Sequence, residues 1–414
     1  MYTINEMIPF CKGQNRKFIK IFLKKVCLGG LTGVKVAFII QVSKTIKPDF
    51  SDFRAIWTVI RSESFSAVLE KEQEGRCGMV TITDISRRCN VSRATVSKAL
   101  NGHSDINAET AAHIRQVAKE MGYLPNATAR ALKLGRSHNI GVLFVDMTSG
   151  GLAHEFFSRI LESVKQEAER SGYDITFISR DIGTLHMNYY EHAKYRNCDG
   201  VVIASVDFTD PAVIKLVNSD IPTVTLDYVF DSHSAVLSDN VGGMADLVRY
   251  VYDKGHRKIA FIHGEPTSVT QKRLASFHKT CSELGLTIPE EYVETATFHD
   301  PKASGLATRR LLALKDRPTC ILYPDDFSFI GGMNELERQG MSIPKDMSVA
   351  GYDGILLSQV LRPRLTTYRQ DAEAMGREAA RQLVEIIERP KEWIPRQTMI
   401  PGQLLKGDTV RDIR

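Results

Sequence analysis

From residue 138 onward, short apolar runs alternate with amphipathic segments, and this rhythm limits the chain to very few folds. The runs are "IGVLFVD" (140–146), "ITFISR" (175–180), "GVVIAS" (200–205), "PTVTLD" (222–227), "KIAFIHG" (258–264), "TCILYP" (319–324) and "MSVAGYD" (347–353). Strands this apolar, separated by helices, predict a parallel sheet covered on both faces. The rhythm resets near Ser238 and again near Thr367, which predicts two similar α/β lobes with the chain crossing between them. Lobe 1 is expected at 138–237 and 368–400, lobe 2 at 238–367, the whole body at 138–405, and a tail at 406–414. That tail, within "LLKGDTVRDIR", lacks the sustained leucine heptads of a tetramerising bundle.

Charge divides the chain differently. Residues 1–78 hold 13 Lys/Arg against 7 Asp/Glu, residues 79–137 hold 9 against 4, and residues 138–414 hold 32 against 38. A basic front on an acidic body predicts a polyanionic partner for the front. Residues 1–78 show no clean period, and Met79 opens a legible segment, "MVTITDISRR". We expect translation to begin at Met79, leaving 1–78 as an extension of unknown role. Lysines 20, 24, 25 and 35 interrupt the apolar stretch 18–42, so no run reaches membrane-spanning length. The seven cysteines are scattered singly, without a CxxC pair or a metal-ligand spacing, as in a reducing cytosol. The histidines His154, His186, His192, His256 and His263 show no ligand spacing either. No metal or cofactor is expected.

Within the basic front, "TDISRRCNVSRATVSKALNG" reads as helix, tight turn, helix. Thr83 is placed to cap the first helix and Ser92 the second. Val91, Val96 and Leu100 form a narrow apolar stripe, leaving Arg93, Ala94, Ser97 and Lys98 on the opposite face. Asn107 starts a third helix whose inward positions are Ile114, Val117, Ala118 and Met121, and Gly122 ends it. Three short helices with one small, basic face are the layout of a helix-turn-helix DNA reader, expected at 79–126. The small side chains permit close approach to the major groove. Arg93 offers a bidentate fork to guanine O6 and N7, and Ser92 and Thr95 suit phosphate. Thr83, Ser97, Lys98 and Asn101 complete the expected contacts on this head.

The order "TITDISRRCNVSRATVSKALNG", then "MGYLPNATARAL", then "NIGVLFVD" resembles the lactose/galactose repressor (LacI/GalR) family over residues 79 to about 405. The resemblance implies an all-α head, a hinge at 127–137, and a two-lobed effector domain built like a periplasmic sugar receptor. It implies that 127–134 is a hinge helix that orders on DNA and pairs with its twin in a homodimer. Asn126, Leu132 and Lys133 are then DNA contacts, Leu132 being the wedge that unstacks a base step in the minor groove.

In open parallel sheets ligands bind beyond the carboxyl ends of the strands. Those ends carry Asp146, Ser205, Asp207, Asp227, Glu265, Asp325, Asp326 and Asp353, with Arg273 on a following helix. Carboxylates facing one guanidinium suit a polyol, whose hydroxyls both donate and accept. Asp326 in particular is placed to cap the next helix. By resemblance, Arg273 in "QKRLASF" and Asp353 in "GYDG" occupy the effector arginine and carboxylate. Asp325 replaces a frequent Asn, Gln370 in "YRQD" is a cleft-side polar group, and Phe298 supplies an aromatic face. The expected function is a cytoplasmic repressor of a carbohydrate-utilisation operon that binds a pseudo-palindromic operator and is released by a sugar-like effector. A corepressor-dependent member of the same family is the alternative. A sugar receptor for transport predicts an export signal and no DNA-reading segment. An enzyme predicts a G-x-G-x-x-G, P-loop or nucleophile elbow, and none of these occurs in the sequence.

Overall fold

The computed structural model describes residues 80–103, 105–124, 135–145 and 151–414. The chain divides into one unit ending at Leu124 and a second beginning at Pro125. The expected hinge helix, with Asn126, Leu132 and Lys133, lies outside the described residues, as does Asp146.

The first unit is three helices: α1 (Ile82–Cys89), α2 (Arg93–Leu100) and α3 (Ala108–Glu120). Its core is Ile85, Val96, Ala99, Ala111, Ile114 and Ala118. Helix α1 starts two residues earlier than expected. Thr81, not Thr83, is the cap: its hydroxyl accepts from the Asp84 N–H, and Asp84 Oδ2 accepts from the Thr81 N–H at 2.9 Å. This reciprocal box satisfies two otherwise orphaned donors. Thr83 is instead the second residue of the helix, and its carbonyl accepts from Ser86 Oγ. Asn90 turns the chain in the left-handed conformation (φ 53°), which asparagine tolerates.

In the second unit each lobe is a six-stranded sheet with helices on its faces. Lobe 1 contains β1 (Asn139–Phe144), α4 (Glu155–Arg170), β2 (Asp174–Ile178), a small hairpin β3 (Asp181–Ile182) and β4 (Leu185–His186), α5 (Tyr189–Tyr195), β5 (Gly200–Ser205), α6 (Pro211–Val217), β6 (Thr223–Leu226) and β7 (Ser234–Ser238). Lobe 2 follows with α7 (Asn240–Asp253), β8 (Ile259–His263), α8 (Ser268–Glu283), β9 (Val293–Thr295), α9 (Pro301–Ala313), β10 (Cys320–Leu322), α10 (Phe329–Arg338), β11 (Ser348–Asp353), α11 (Leu356–Val360) and β12 (Thr366–Arg369). The chain then returns to lobe 1 for α12 (Ala372–Glu388) and β13 (Gln397–Ile400), and ends in lobe 2 with β14 (Gln403–Leu405). The strand orders are β13-β7-β6-β5-β1-β2 and β14-β12-β11-β10-β8-β9. All pairs within the two sheets are parallel except β12 with β14.

Two sequence expectations need correction. The second crossing falls after Arg369, because β12 pairs with β11 through the whole of Thr366–Arg369 and so belongs to lobe 2. The expected tail is part of lobe 2 as well: Thr409 Oγ1 donates to the Val349 carbonyl at 2.8 Å, Val410 is buried, and the Ile413 N–H donates to the Lys254 carbonyl. The body therefore crosses between lobes three times, near 239, 370 and 401. In lobe 1, α4 and α12 cross so closely at Gly376 that a methyl group there would overlap the Ile160 carbonyl.

Candidate nucleic-acid interface and ligand cleft

Ser92 caps α2 as expected, accepting from the Thr95 N–H at 3.1 Å, and the two hydroxyls lie 2.9 Å apart. Val96 and Ala99 are buried, which turns the other side of α2 outward. Arg93, Ala94 and Lys98 are exposed there, with Ser97 and Thr95 partly so. Arg93 forms no ion pair among the described residues, whereas Lys98 Nζ lies 2.5 Å from Asp105 Oδ2. Asn101 is exposed but folds its amide back onto the Ser97 carbonyl. Arg93, without an ion pair among the described residues, thus stands at the start of a short helix whose small neighbours leave it accessible.

In the body, the ends of β11 and β12 and the start of α8 converge on Arg273. This guanidinium is only 4% exposed. Its Nε donates to Asn240 Oδ1 at 2.8 Å and Nη1 to the Pro324 carbonyl at 2.9 Å. One face lies 3.6 Å from the Tyr352 ring centroid, with Phe298 at 5.9 Å. Asp353 Oδ1 stands 3.9 Å from Nη2, too far for a hydrogen bond, and accepts from Gln370 Nε2 at 2.7 Å. Burial raises the Asp353 carboxyl to about 6; Arg273 opposes the shift and the charge of Asp325 adds to it. The amide oxygen of Gln370, Oε1, is buried with no hydrogen-bond partner among the described residues.

Asn240 and Gln370 sit at the first and second lobe crossings, so both crossings are tied to the Arg273–Asp353 pair. Asn240 Nδ2 also reaches Asp227 Oδ1, which accepts from the Ser238 N–H at 2.7 Å. Burial pushes the Asp227 carboxyl up. The lobes also meet directly. Ser268 Oγ donates to the Asp227 carbonyl, the Leu356 N–H donates to Glu155, and His154 stacks on His299, which stacks on Phe327. Asp227, His299 and Asp353 have φ of 56°, 57° and 95°. Left-handed backbone at non-glycine residues collects at ligand-binding sites, where the surroundings over-determine it.

Several expected residues behave otherwise. Asp326 does not cap the next helix: its oxygens accept from Thr367 Oγ1 at 2.6 Å and the Ile355 N–H at 3.0 Å, and burial raises its carboxyl well above the usual range. Asp325 instead closes the turn that leads into α10, accepting from the Ser328 N–H and Oγ, both at 2.7 Å, and from the His299 N–H at 2.8 Å. Its carboxylate is thus spent on positioning. Ser205 ends β5 and donates to the Val145 carbonyl, without contact to Arg273 or Asp353. Asp207 turns onto Thr209, and Glu265 accepts from the Phe298 N–H. Asn240, Tyr352 and the His154–His299 stack were not foreseen. Tyr352 adjoins Asp353 in "GYDG", and Asn240 follows the reset at Ser238, so two of the three had a signal nearby.

Residues 81–126 match the description "Bacterial regulatory proteins, lacI family", and residues 248–410 match "Periplasmic binding protein-like domain". The probable HTH-type transcriptional repressor ExuR of Bacillus subtilis (strain 168) is 32% identical over 317 residues, 76% of this chain and 93% of that protein. The HTH-type transcriptional repressor PurR of Vibrio cholerae serotype O1 (strain M66-2) is 31% identical over 343 residues, 81% of this chain and 99% of that protein. Among solved structures, the lac repressor dimer bound to operator and the anti-inducer ONPF is similar at a TM-score of 0.69, with 23% identity over 81% of this chain and 100% of that one. A transcriptional regulator CelR–cellobiose complex matches at a TM-score of 0.59, with 23% identity over 80% of this chain and 99% of that one. The chain belongs to the lacI family of bacterial regulatory proteins: it is a DNA-binding transcriptional regulator with a helix-turn-helix head and a two-lobed α/β body.

Proposed function

We propose that the chain is a homodimeric repressor of a carbohydrate-utilisation operon, released from its operator by an uncharged, sugar-like effector held between the lobes. Residues 79–126 form the reading head and 127–137 the hinge. Arg93 carries the strongest base contact, and Ser92 and Thr95 hold phosphate. The body binds its ligand and catalyses nothing.

The observation that carries this reading is the 3.9 Å gap between Arg273 Nη2 and Asp353 Oδ1, with the buried acceptor Gln370 Oε1 nearby. A hydroxyl bridges such a pair, accepting from the guanidinium and donating to the carboxylate. A ligand carboxylate or phosphate only accepts, and meets Asp353 as a like charge. Arg273 is also already shared with Asn240 and the Pro324 carbonyl. Regulators of this fold have been captured with cellobiose and with ribose. Because Asn240 and Gln370 lie at the crossings, a ligand that moves Arg273 or Asp353 shifts the lobes. The response depends on its differing affinity for two lobe arrangements, a few kcal/mol, and not on tightness alone.

The test is a thermal-melt screen with neutral mono- and disaccharides, hexuronates, sugar phosphates and hypoxanthine. A neutral sugar should raise the midpoint and loosen operator binding. A shift by acidic ligands alone would overturn the charge argument, and tighter operator binding with ligand would favour the corepressor alternative.

A further inference from the structure

One carboxylate stands on the same surface as the cations of α2. Asp105 lies in the turn between α2 and α3, and Lys98, in the last turn of α2, donates to its Oδ2 at 2.5 Å. The two side chains are about half exposed, 50% for Lys98 and 55% for Asp105. The carboxylate has no part in starting α3, because Asn107 caps that helix, accepting from the N–H groups of Glu109 and Thr110. An exposed ion pair of this kind contributes little to stability. Lys98 remains favourably placed near the C-terminal end of α2 even without its partner. Asp105 therefore has no evident structural task, yet it neutralises one of the two cations on the helix. On a surface that meets a polyanion, that is a net loss of affinity.

The loss falls on one class of contact. Contacts of lysine to phosphate are independent of sequence and dominate binding to arbitrary duplex, whereas base-edge contacts discriminate. A carboxylate within hydrogen-bonding distance of Lys98 occupies the space that a phosphate oxygen would take. We propose that Asp105 holds Lys98 back from the DNA backbone, lowering affinity for arbitrary DNA so that discrimination rests on Arg93. The inference rests on the outward face of α2 being the one that meets DNA. Lys98 approaches phosphate fully only when Asp105 lets it go, and the difference between operator and bulk DNA widens accordingly.

The experiment uses the full chain and a fluorescent 30-base-pair duplex of random sequence, titrated by anisotropy across a range of KCl concentrations. Each phosphate newly neutralised steepens the plot of log K against log salt by about 0.9, and at 0.1 M relative to 1 M salt this amounts to about an eightfold gain. Asp105→Asn should show that change per head, and Asp105→Ser the same. Lys98→Ala should leave the slope close to the parent's, because Lys98 is held off phosphate there, and adding Asp105→Asn to Lys98→Ala should give none of the steepening that Asp105→Asn gives alone. Two results would overturn the inference: Asp105→Asn leaving affinity and slope within twofold of the parent, or tightening binding equally in the Lys98→Ala background. The second would make Asp105 a general repellent without a hold on Lys98. If the parent protein shows no salt-dependent binding to any duplex, the DNA-facing assignment itself falls, and the inference with it. The first two failures leave parental binding intact, so the cases are separable.

Discussion

Asp353→Asn sets two opposing effects against each other at the centre of the cleft. Asp353 is 9% exposed, and burial lifts its carboxyl to about 6 although Arg273 pulls the other way. An unfolded chain titrates the same group near about 3.9. Between these values the folded state keeps a proton that the unfolded state releases, so stability falls as pH rises from about 4 to 6 and stays low above. At about 1.36 kcal/mol per unit, the penalty at pH 7.5 is about 3 kcal/mol, and at pH 4.5 about 1 kcal/mol. Asparagine mimics the protonated side chain: its Oδ1 accepts from Gln370 Nε2 as Asp353 does now at 2.7 Å. The variant should therefore melt higher than the parent at pH 7.5, by roughly 5–10 °C for a body of this size. Most of the gain should disappear at pH 4.5. Paired calorimetric melts across that range measure it. A variant that melts lower than the parent at pH 7.5 would refute the reasoning, because Arg273–Asp353 attraction would then outweigh burial. The same variant should respond poorly to effector, stability and function being opposed at this site.

Five other substitutions probe separate parts of the molecule. Thr81→Ala should destabilise the head by about 1 kcal/mol through loss of the capping box, and Thr83→Ala by less than about 0.5 kcal/mol; hydrogen exchange of the α1 amides in the full chain reads both. Gly376→Ala should lower the stability of lobe 1 by about 1–3 kcal/mol, because the added methyl overlaps the Ile160 carbonyl, and thermal melts measure the change. Thr367→Val removes the hydroxyl that donates to buried Asp326 and should lower stability by about 1–3 kcal/mol in denaturant titrations. Arg93→Ala should relax sequence preference by about 1–3 kcal/mol at one operator position, seen by selection from a randomised pool.

The long apolar runs were legible because a strand covered on both faces needs four or more consecutive apolar residues. "GVVIAS" and "MSVAGYD" declare themselves, and β5 and β11 are buried along nearly their whole length. Strands β12, β13 and β14 did not, because "TTYR", "QTMI" and "QLL" are short, polar and lie towards the sheet edges. The third crossing and the placement of residues 406–414 went unseen for that reason. In the head, periodicity gave the helices but not the first cap. "TITDISRR" offers two threonines, and only the reciprocal partner three residues on, Asp84, singles out Thr81. Around Arg273, strand-end chemistry pointed to Arg273 and Asp353, and the family resemblance to Gln370. It could not assign tasks to the adjacent Asp325 and Asp326, whose partners come from Ser328 and His299 in one case and Thr367 and Ile355 in the other. Which way each carboxylate turns is decided by tertiary contacts distant in sequence.

On this reading, the outward face of α2 recognises a specific DNA sequence. The most direct test is to capture genomic fragments of the source bacterium on the purified full chain and sequence what is enriched. A pseudo-palindrome is expected, with half-sites spaced for two heads of a dimer, near genes for sugar uptake or breakdown, and its consensus should relax in the Arg93→Ala protein at the one position that Arg93 reads. Enrichment without a shared motif, or a motif unchanged in the Arg93→Ala protein, would contradict it.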